Sequence, residues 1–236
     1  MSHHRRFLCP TDLDNPPWRL DGDEARHALR ALRLRIGADI LLVDGRGGSV
    51  RARLIEQSKD RVVAEPCGPV ERIPQPDLRP HLLVGAPDPP ALDSALEHAV
   101  ELGAWRIVVV RTERSPAPFA ALERRKGRWE TLIRSAGKQS GNPWFPELIL
   151  LGSVMEATAA LPPTGFLLSQ GAAPLRQAAF SPGDFALAVG PEGDFTQKEA
   201  DLLIARGLVR ASVGTHTLRV GTACLAALAV LGAVAK

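Results

Sequence analysis

The chain has 236 residues, 45% of them apolar and 23% charged, with three cysteines and a formal net charge of +3. That composition describes an ordinary globular protein and excludes a disordered or fibrous chain. Cys9, Cys67 and Cys224 are far apart and lack Cys-x-x-Cys or Cys/His spacing, which argues against a disulfide framework or a zinc site and for a reducing cytoplasm.

In chain order, no apolar core follows the first basic residues, as a signal peptide would require. Up to Pro69 the segments are short: RRFLC, an amphipathic helix over DGDEARHALRALRL, then DILLVDG, SVRARLIEQ and RVVAEPC, separated by turn signals at Asp44-Gly45 and Gly47-Gly48. This pattern predicts a small β-barrel or curled sheet with one helix. Arginines gather here (Arg5, Arg6, Arg26, Arg30, Arg33, Arg35, Arg46, Arg51, Arg53) and again over Arg124–Arg134, a distribution suited to a polyanion such as RNA or DNA. The stretch ERIPQPDLRP (71–80) carries three prolines in ten residues and reads as a linker. The chain is therefore expected to divide into residues 1–72 and 73–236.

Beyond the linker, strand and helix alternate. HLLVGA precedes the helical ALDSALEHAVELG, and RIVVV precedes a helix over ERRKGRWETLIRSAGKQS. FLLSQ and DFALAVG follow, then a helix over TQKEADLLIARG, VRASVG, and a last helix from about Thr222. Such alternation predicts an α/β fold with a mostly parallel sheet covered on both faces, and ligands at the carboxyl ends of its strands. The apolar run Ala223–Ala235 is too short to span a bilayer and reads as a buried helix.

The turn LAVGPEGDFTQKEA (187–200) leaves such a strand. Gly190 and Gly193 let a ligand lie against bare peptide, Pro191 stiffens the turn, and Thr196 with Glu199 forms a capping box. It lacks GK[ST] and presents the acid Glu192, so it suits a neutral or cationic ligand better than a phosphate. VGTHTLRVGTACLAALAVLGA (213–233) repeats the design of strand, glycine, polar loop and helix, so the two loops are expected to share one cleft.

LAVGPEGDFTQKE, VGTHTLRVGTA, HAVELGAWRIVVVRTERS and RWETLIRSAGKQSGNPWFPEL resemble the RsmE family. Members methylate N3 of a uridine in small-subunit ribosomal RNA (uridine 1498 of 16S rRNA) using S-adenosylmethionine. The resemblance runs over essentially the whole chain, from RRF and HALRALRLRIGADILLVDG onward. It implies a SPOUT-type, trefoil-knotted, mostly parallel sheet behind a PUA-like β-barrel, in a metal-free cytoplasmic homodimer with no membrane partner. The last helix would lie between the core and the partner subunit.

The resemblance places the cofactor contacts on Leu168, Ser169, Gly190, Glu192, Gly193, Val213, Gly214, Thr217 and Leu218, with Arg219 catalytic. Uracil N3 loses a proton as it attacks the methyl carbon. A guanidinium stays protonated, so Arg219 would stabilise charge on the uracil carbonyls rather than act as base. His216 is close in sequence, but no general base stands out. Arg5, Arg6, Arg30 and Arg33 are candidate RNA phosphate contacts.

The sequence departs from the family's usual GPEGGF and LGxRILRxETA at Asp194 and Gly221, lacks two customary lysines, and has Lys138 for glutamate and Asn142 for a common arginine. These changes leave a second expectation: a divergent RNA-binding relative with weak or lost methyltransferase activity, or with a changed RNA target.

Overall fold

The computed structural model describes residues 5–234. They form two compact units, one running to Gln75 and including Gly137–Phe145, the other comprising Pro76–Ala136 and Pro146 onward.

The first unit is built on strands β1 (Arg6–Leu8), β2 (Trp18–Asp21), β3 (Asp39–Val43), β4 (Gly48–Gln57) and β5 (Arg61–Arg72), with helix α1 (Gly22–Arg26) after β2. The order is β1-β3-β4-β5-β2, parallel between β1 and β3 and antiparallel elsewhere. Alternation along β4 turns Val50, Ala52 and Leu54 into the core and Arg51 and Arg53 outward. Bulges between Val50 and Ala52 and between Leu54 and Glu56 bend the sheet into a half barrel around Trp18, Phe7 and Leu42.

The expected helix over DGDEARHALRALRL is shorter than its periodicity suggests. α1 passes into a wide turn over His27–Ala31, closed by Leu32 N donating to His27 O at 3.0 Å, and Arg33 then takes φ 50°. Ala28 and Leu34 are both buried. Six residues of regular helix would set them about 120° apart around the axis, and ending the helix turns both toward one core.

Residues 137–145 dock on this unit. Gly47 N donates to Pro143 O and Phe145 N to Gly45 O, both at 2.8 Å. Gly45 has φ 69°, and a Cβ there would lie 2.7 Å from the Phe145 ring. Lys138 pairs with Glu24, whose other carboxylate oxygen accepts from Leu8 N at 3.1 Å.

The second unit contains, in order, β6 (Leu78–Gly85), α2 (Pro89–Glu101), β7 (Arg106–Val110), α3 (Phe119–Glu123), α4 (Lys126–Ser140, as far as Ala136), β8 (Glu147–Leu151), α5 (Val154–Ala160), β9 (Gly165–Leu168), β10 (Gly183–Val189), α6 (Gln197–Ala205), β11 (Leu208–Ala211) and α7 (Val220–Val234). All six strands are parallel, in the order β11-β9-β10-β6-β7-β8. Alternate residues feed two cores. Leu82, Val84, Ile107, Val109 and Leu187 pack with α2, α4 and α7, whereas Leu83, Val108, Val110, Ala186 and Ala188 pack with α5 and α6. Burial on both faces is why these strands read as continuous apolar runs.

Three features depart from the sequence reading. The helix from Glu123 is two helices, with a break before Lys126, and β8 and α5 were not anticipated although Ser153 caps α5 by accepting from Glu156 N. The proline-rich stretch is not all linker, because β6 begins at Leu78 and includes Pro80. Pro80 O accepts from Trp105 N at 2.8 Å, so its nitrogen also faces the β7 side, where the register starts only at His81. The missing N–H therefore costs no ladder bond.

Helix α7 buries Val220, Cys224, Ala227, Leu228 and Leu231 and leaves Leu225, Ala229 and Ala233 exposed. Its apolar surface thus exceeds what this chain covers. Ala235, the end of the anticipated apolar run, lies outside the described residues.

Candidate functional site

The loops after β9, β10 and β11 leave the same edge of the sheet and surround a cavity of about 370 Å³. After β9, Ser169 N donates to Ala211 O at 2.8 Å, and Ser169 Oγ accepts from Arg210 Nη1 at 3.0 Å. Gln170 next ties this loop to the one after β11: its amide nitrogen donates to Thr215 O at 3.4 Å, and its amide oxygen accepts from Thr217 Oγ1 at 3.1 Å.

The turn after β10 is tight. Asp194 N donates to Pro191 O at 2.8 Å, and Asp194 Oδ1 accepts from Phe195 N at 2.7 Å. A Cβ on Gly190 would sit 2.7 Å from Asp194 Oδ1 and 3.0 Å from both Asp194 Cα and Phe195 N, so any larger residue would force the turn to shift. Gly85 is equally constrained, since a Cβ there would lie 2.5 Å from Pro191. Asp194 has φ 62°, which explains the family's glycine at this position and the tolerance of aspartate, a residue enriched in left-handed backbone. The capping box is present: Thr196 Oγ1 accepts from Glu199 N, and Glu199 accepts from Thr196 N at 2.9 Å.

Leu168, Ser169, Gly190, Glu192, Val213, Gly214, Thr217, Leu218 and Arg219 all line the cavity. Gly193 does not. Its carbonyl accepts from Arg114 Nη1 at 2.6 Å, because the tight turn aims position 193 away from the cavity and toward the loop after β7. Gln170, Asp194, Ser212, His216 and Ala223 also face the cavity. Of these, Asp194 and His216 already stood out in the motifs, and Gln170 had a sequence signal as the residue next to the Leu168-Ser169 strand end. Gly221 is off the cavity; a Cβ there would point at the first turns of α2, 3.6 Å from Ala91 O and 3.8 Å from Ser94 Oγ.

Electrostatically, the rim carries both signs. Glu192 and Arg219 are exposed, and neither side chain has a hydrogen-bond or ion-pair partner among the described residues. The walls formed by Leu168, Val189, Leu218 and Val220 are apolar. This combination suits a ligand with an apolar body and polar or charged ends. Among the described residues there is no cluster of His, Cys, Asp and Glu able to hold a metal ion, and no helix long and apolar enough to cross a membrane.

In the first unit, Arg5, Arg30 and Arg33 are exposed and free of ion pairs among the described residues. Arg6 is half-buried and donates to Lys138 O at 3.3 Å, with its guanidinium over Gly141. Arg26 pairs with Asp23, and Arg53 with Asp39 at 2.8 Å, so the dense arginine group of the sequence is partly neutralised.

The chain matches the family model of the RNA methyltransferase domain over residues 74–232 and that of the RNA methyltransferase PUA domain over residues 20–67. It is 28% identical to the ribosomal RNA small subunit methyltransferase E of Synechocystis, over 98% of this chain and 78% of that protein. It is 29% identical to the Mycobacterium bovis protein of the same name, over 90% and 85%. Among solved structures, the Neisseria gonorrhoeae ribosomal RNA small subunit methyltransferase E bound to S-adenosyl methionine superposes with a TM-score of 0.88 at 29% identity, covering 98% of both chains. A probable rRNA-methyltransferase from Porphyromonas gingivalis superposes with a TM-score of 0.83 at 27% identity, also over 98% of both. With a parallel sheet whose strand-end loops enclose the cavity, and with the family models matched in both units, the chain belongs to the RNA methyltransferase family that carries a PUA domain.

Proposed function

We propose that this chain transfers a methyl group from S-adenosylmethionine to N3 of a uridine in small-subunit ribosomal RNA. The carrying observation is the cavity between three strand-end loops, with the unpaired Arg219 on its lining. The cofactor-bound Neisseria relative supports the same reading. S-adenosylmethionine supplies an electrophilic methyl group on a sulfonium.

The residues present fit that cofactor. Gly190 lets backbone approach closely, Leu168 and Leu218 offer apolar walls, and Ser169, Gln170 and Thr217 offer hydrogen bonds. Glu192 and Asp194 place carboxylates where they complement a cationic ligand. Arg219, on the cavity lining, would stabilise the negative charge that builds on the uracil oxygens as N3 gives up its proton, and holding that charge in place lowers the barrier. Arg219 keeps its own proton throughout, so the proton leaves to another acceptor.

In this reading residues 1–72 form an RNA-binding domain, with Arg5, Arg30 and Arg33 on phosphates, and residues 73–236 form the catalytic domain. The chain after β11 is threaded as a trefoil knot, and the exposed apolar face of α7 meets a second copy in a cytoplasmic homodimer. The test is methylation of small ribosomal subunits lacking the mark, with the product nucleoside identified by mass spectrometry. Formation of 3-methyluridine at one position supports the proposal. Cofactor binding without transfer to any uridine would instead favour the divergent relative with lost activity or a changed target.

A further inference from the structure

The loop after β7 is bonded to the middle of the turn that lines the cavity and, through Glu199, to its far end. Arg114 Nη1 donates to Gly193 O at 2.6 Å, and the Arg114 side chain covers Gly193, with carbons 3.2 to 3.7 Å from where a Cβ would stand. One residue earlier, Glu113 N donates to Glu199 Oε1 at 2.9 Å. The other carboxylate oxygen of Glu199 accepts from Thr196 N at 2.9 Å and from Thr196 Oγ1 at 3.1 Å. Glu199 is buried, as is Thr112, whose hydroxyl accepts from Arg114 N at 3.3 Å and lies 3.1 Å from Ser115 Oγ. The loop is thus fixed internally before it reaches across to the turn.

Geometry points to Arg114 as a positioning residue: through the Gly193 carbonyl it holds the Gly190–Thr196 turn in the conformation that presents Glu192 and Asp194 to the cofactor, while touching neither cofactor nor substrate itself. Three features carry this. The turn has a non-glycine residue in left-handed backbone at Asp194, a conformation that persists only where surroundings enforce it. Gly193 faces Arg114 and not the cavity. The second tie, through Glu199, fixes the far end of the turn, and Arg114 ties its middle from outside, beside the turn's own bond from Phe195 N to Asp194 Oδ1. The inference rests on the proposed cofactor.

The test uses the full-length protein with S-adenosylhomocysteine as the calorimetric probe, the variants Arg114→Ala and Arg114→Lys, and amide hydrogen exchange across residues 190–196 without ligand. Because Arg114 is exposed, its replacement leaves the fold intact, and thermal melting checks this. Arg114→Ala is expected to weaken the probe's binding about three- to tenfold, the scale of one partly solvated hydrogen bond. Arg114→Lys, which keeps one donor, is expected to recover part of that loss. Exchange at Asp194 and Phe195 should rise in Arg114→Ala, and with RNA substrate the KM for the methyl donor should rise more than kcat falls.

An arginine that only contacts an RNA phosphate would give the opposite pattern: unchanged probe affinity and exchange, with weaker and less salt-sensitive RNA binding. That result overturns the inference. If the wild-type protein itself ignores the probe, the cofactor assignment fails instead, and the exchange of the free turn still decides whether Arg114 holds it.

Discussion

Replacing Gly190 by alanine tests the cleft most directly. The added Cβ would lie 2.7 Å from Asp194 Oδ1 and 3.0 Å from Asp194 Cα and Phe195 N. The carboxylate oxygen can swing away, but the two backbone atoms are held by Asp194 N donating to Pro191 O at 2.8 Å and by the helix that starts at Thr196. The turn must therefore open, at the overpacking cost of about 1 to 3 kcal/mol. If the open turn has to close again to grip the cofactor, that cost appears in binding as a loss of about 5- to 150-fold.

Calorimetry with S-adenosylhomocysteine measures the loss, and thermal melting separates it from global unfolding. Gly214→Ala is the matched control: it also lines the cavity, but nothing lies within 4 Å of its added Cβ, so any effect there reports contact with the ligand alone. Wild-type affinity in Gly190→Ala, with an unchanged melting temperature, would refute the reasoning that the bare backbone at this turn shapes the site.

Arg219→Ala should lower methyl transfer at saturating cofactor by about a hundredfold, the scale of one lost charge-stabilising donor. Melting should not change, because its exposed guanidinium has no partner among the described residues. Lys138→Glu, which restores the family's residue, sets two carboxylates together where Lys138 and Glu24 now pair. It should destabilise the protein by about 2 kcal/mol in urea titration, a figure reduced from fully buried pairs because both side chains are partly exposed, and Glu24→Lys in the same chain should restore only the charge-pair part of it, since lysine cannot accept from Leu8 N.

A pH effect is expected at the opposite edge of the sheet, where His81 is buried. Its Nε2 lies 3.1 Å from Asp184 Oδ1, and its Nδ1 has no hydrogen-bond partner. Burial, only partly offset by Asp184, lowers the histidine's pKa, while the Arg79 guanidinium holds the Asp184 carboxyl below its usual value. A depressed histidine pKa means that the unfolded chain takes up the proton first. The contribution of neutral His81 is therefore complete above the ordinary histidine value of about 6.5 and is lost as pH falls toward the folded value. Urea midpoints should drop across that interval in the wild type and drop less in His81→Leu.

Much of this protein was legible in its sequence because local rules and tertiary demands agree. The uniform apolar runs of β6, β7 and β10 announce a sheet covered on both faces. The capping box at Thr196 fixes the start of α6, and glycine at 190 follows from a turn with no room for a side chain. Nine residues assigned from the family resemblance line one cavity, since each lies at or beyond a strand end and parallel strands deliver their ends to one edge.

What lay beyond the sequence depended on partners distant along the chain. Only the fold brings Arg114 onto the carbonyl of Gly193, turning that glycine outward, or gives Lys138 its partner in Glu24. Only the packing of Ala28 and Leu34 into one core stops a helix whose own periodicity runs on. Hydrophobic pattern and turn chemistry specify elements through neighbours a few residues apart. The pairing of charges and carbonyls across loops is set by three-dimensional distance, which one-dimensional spacing does not encode.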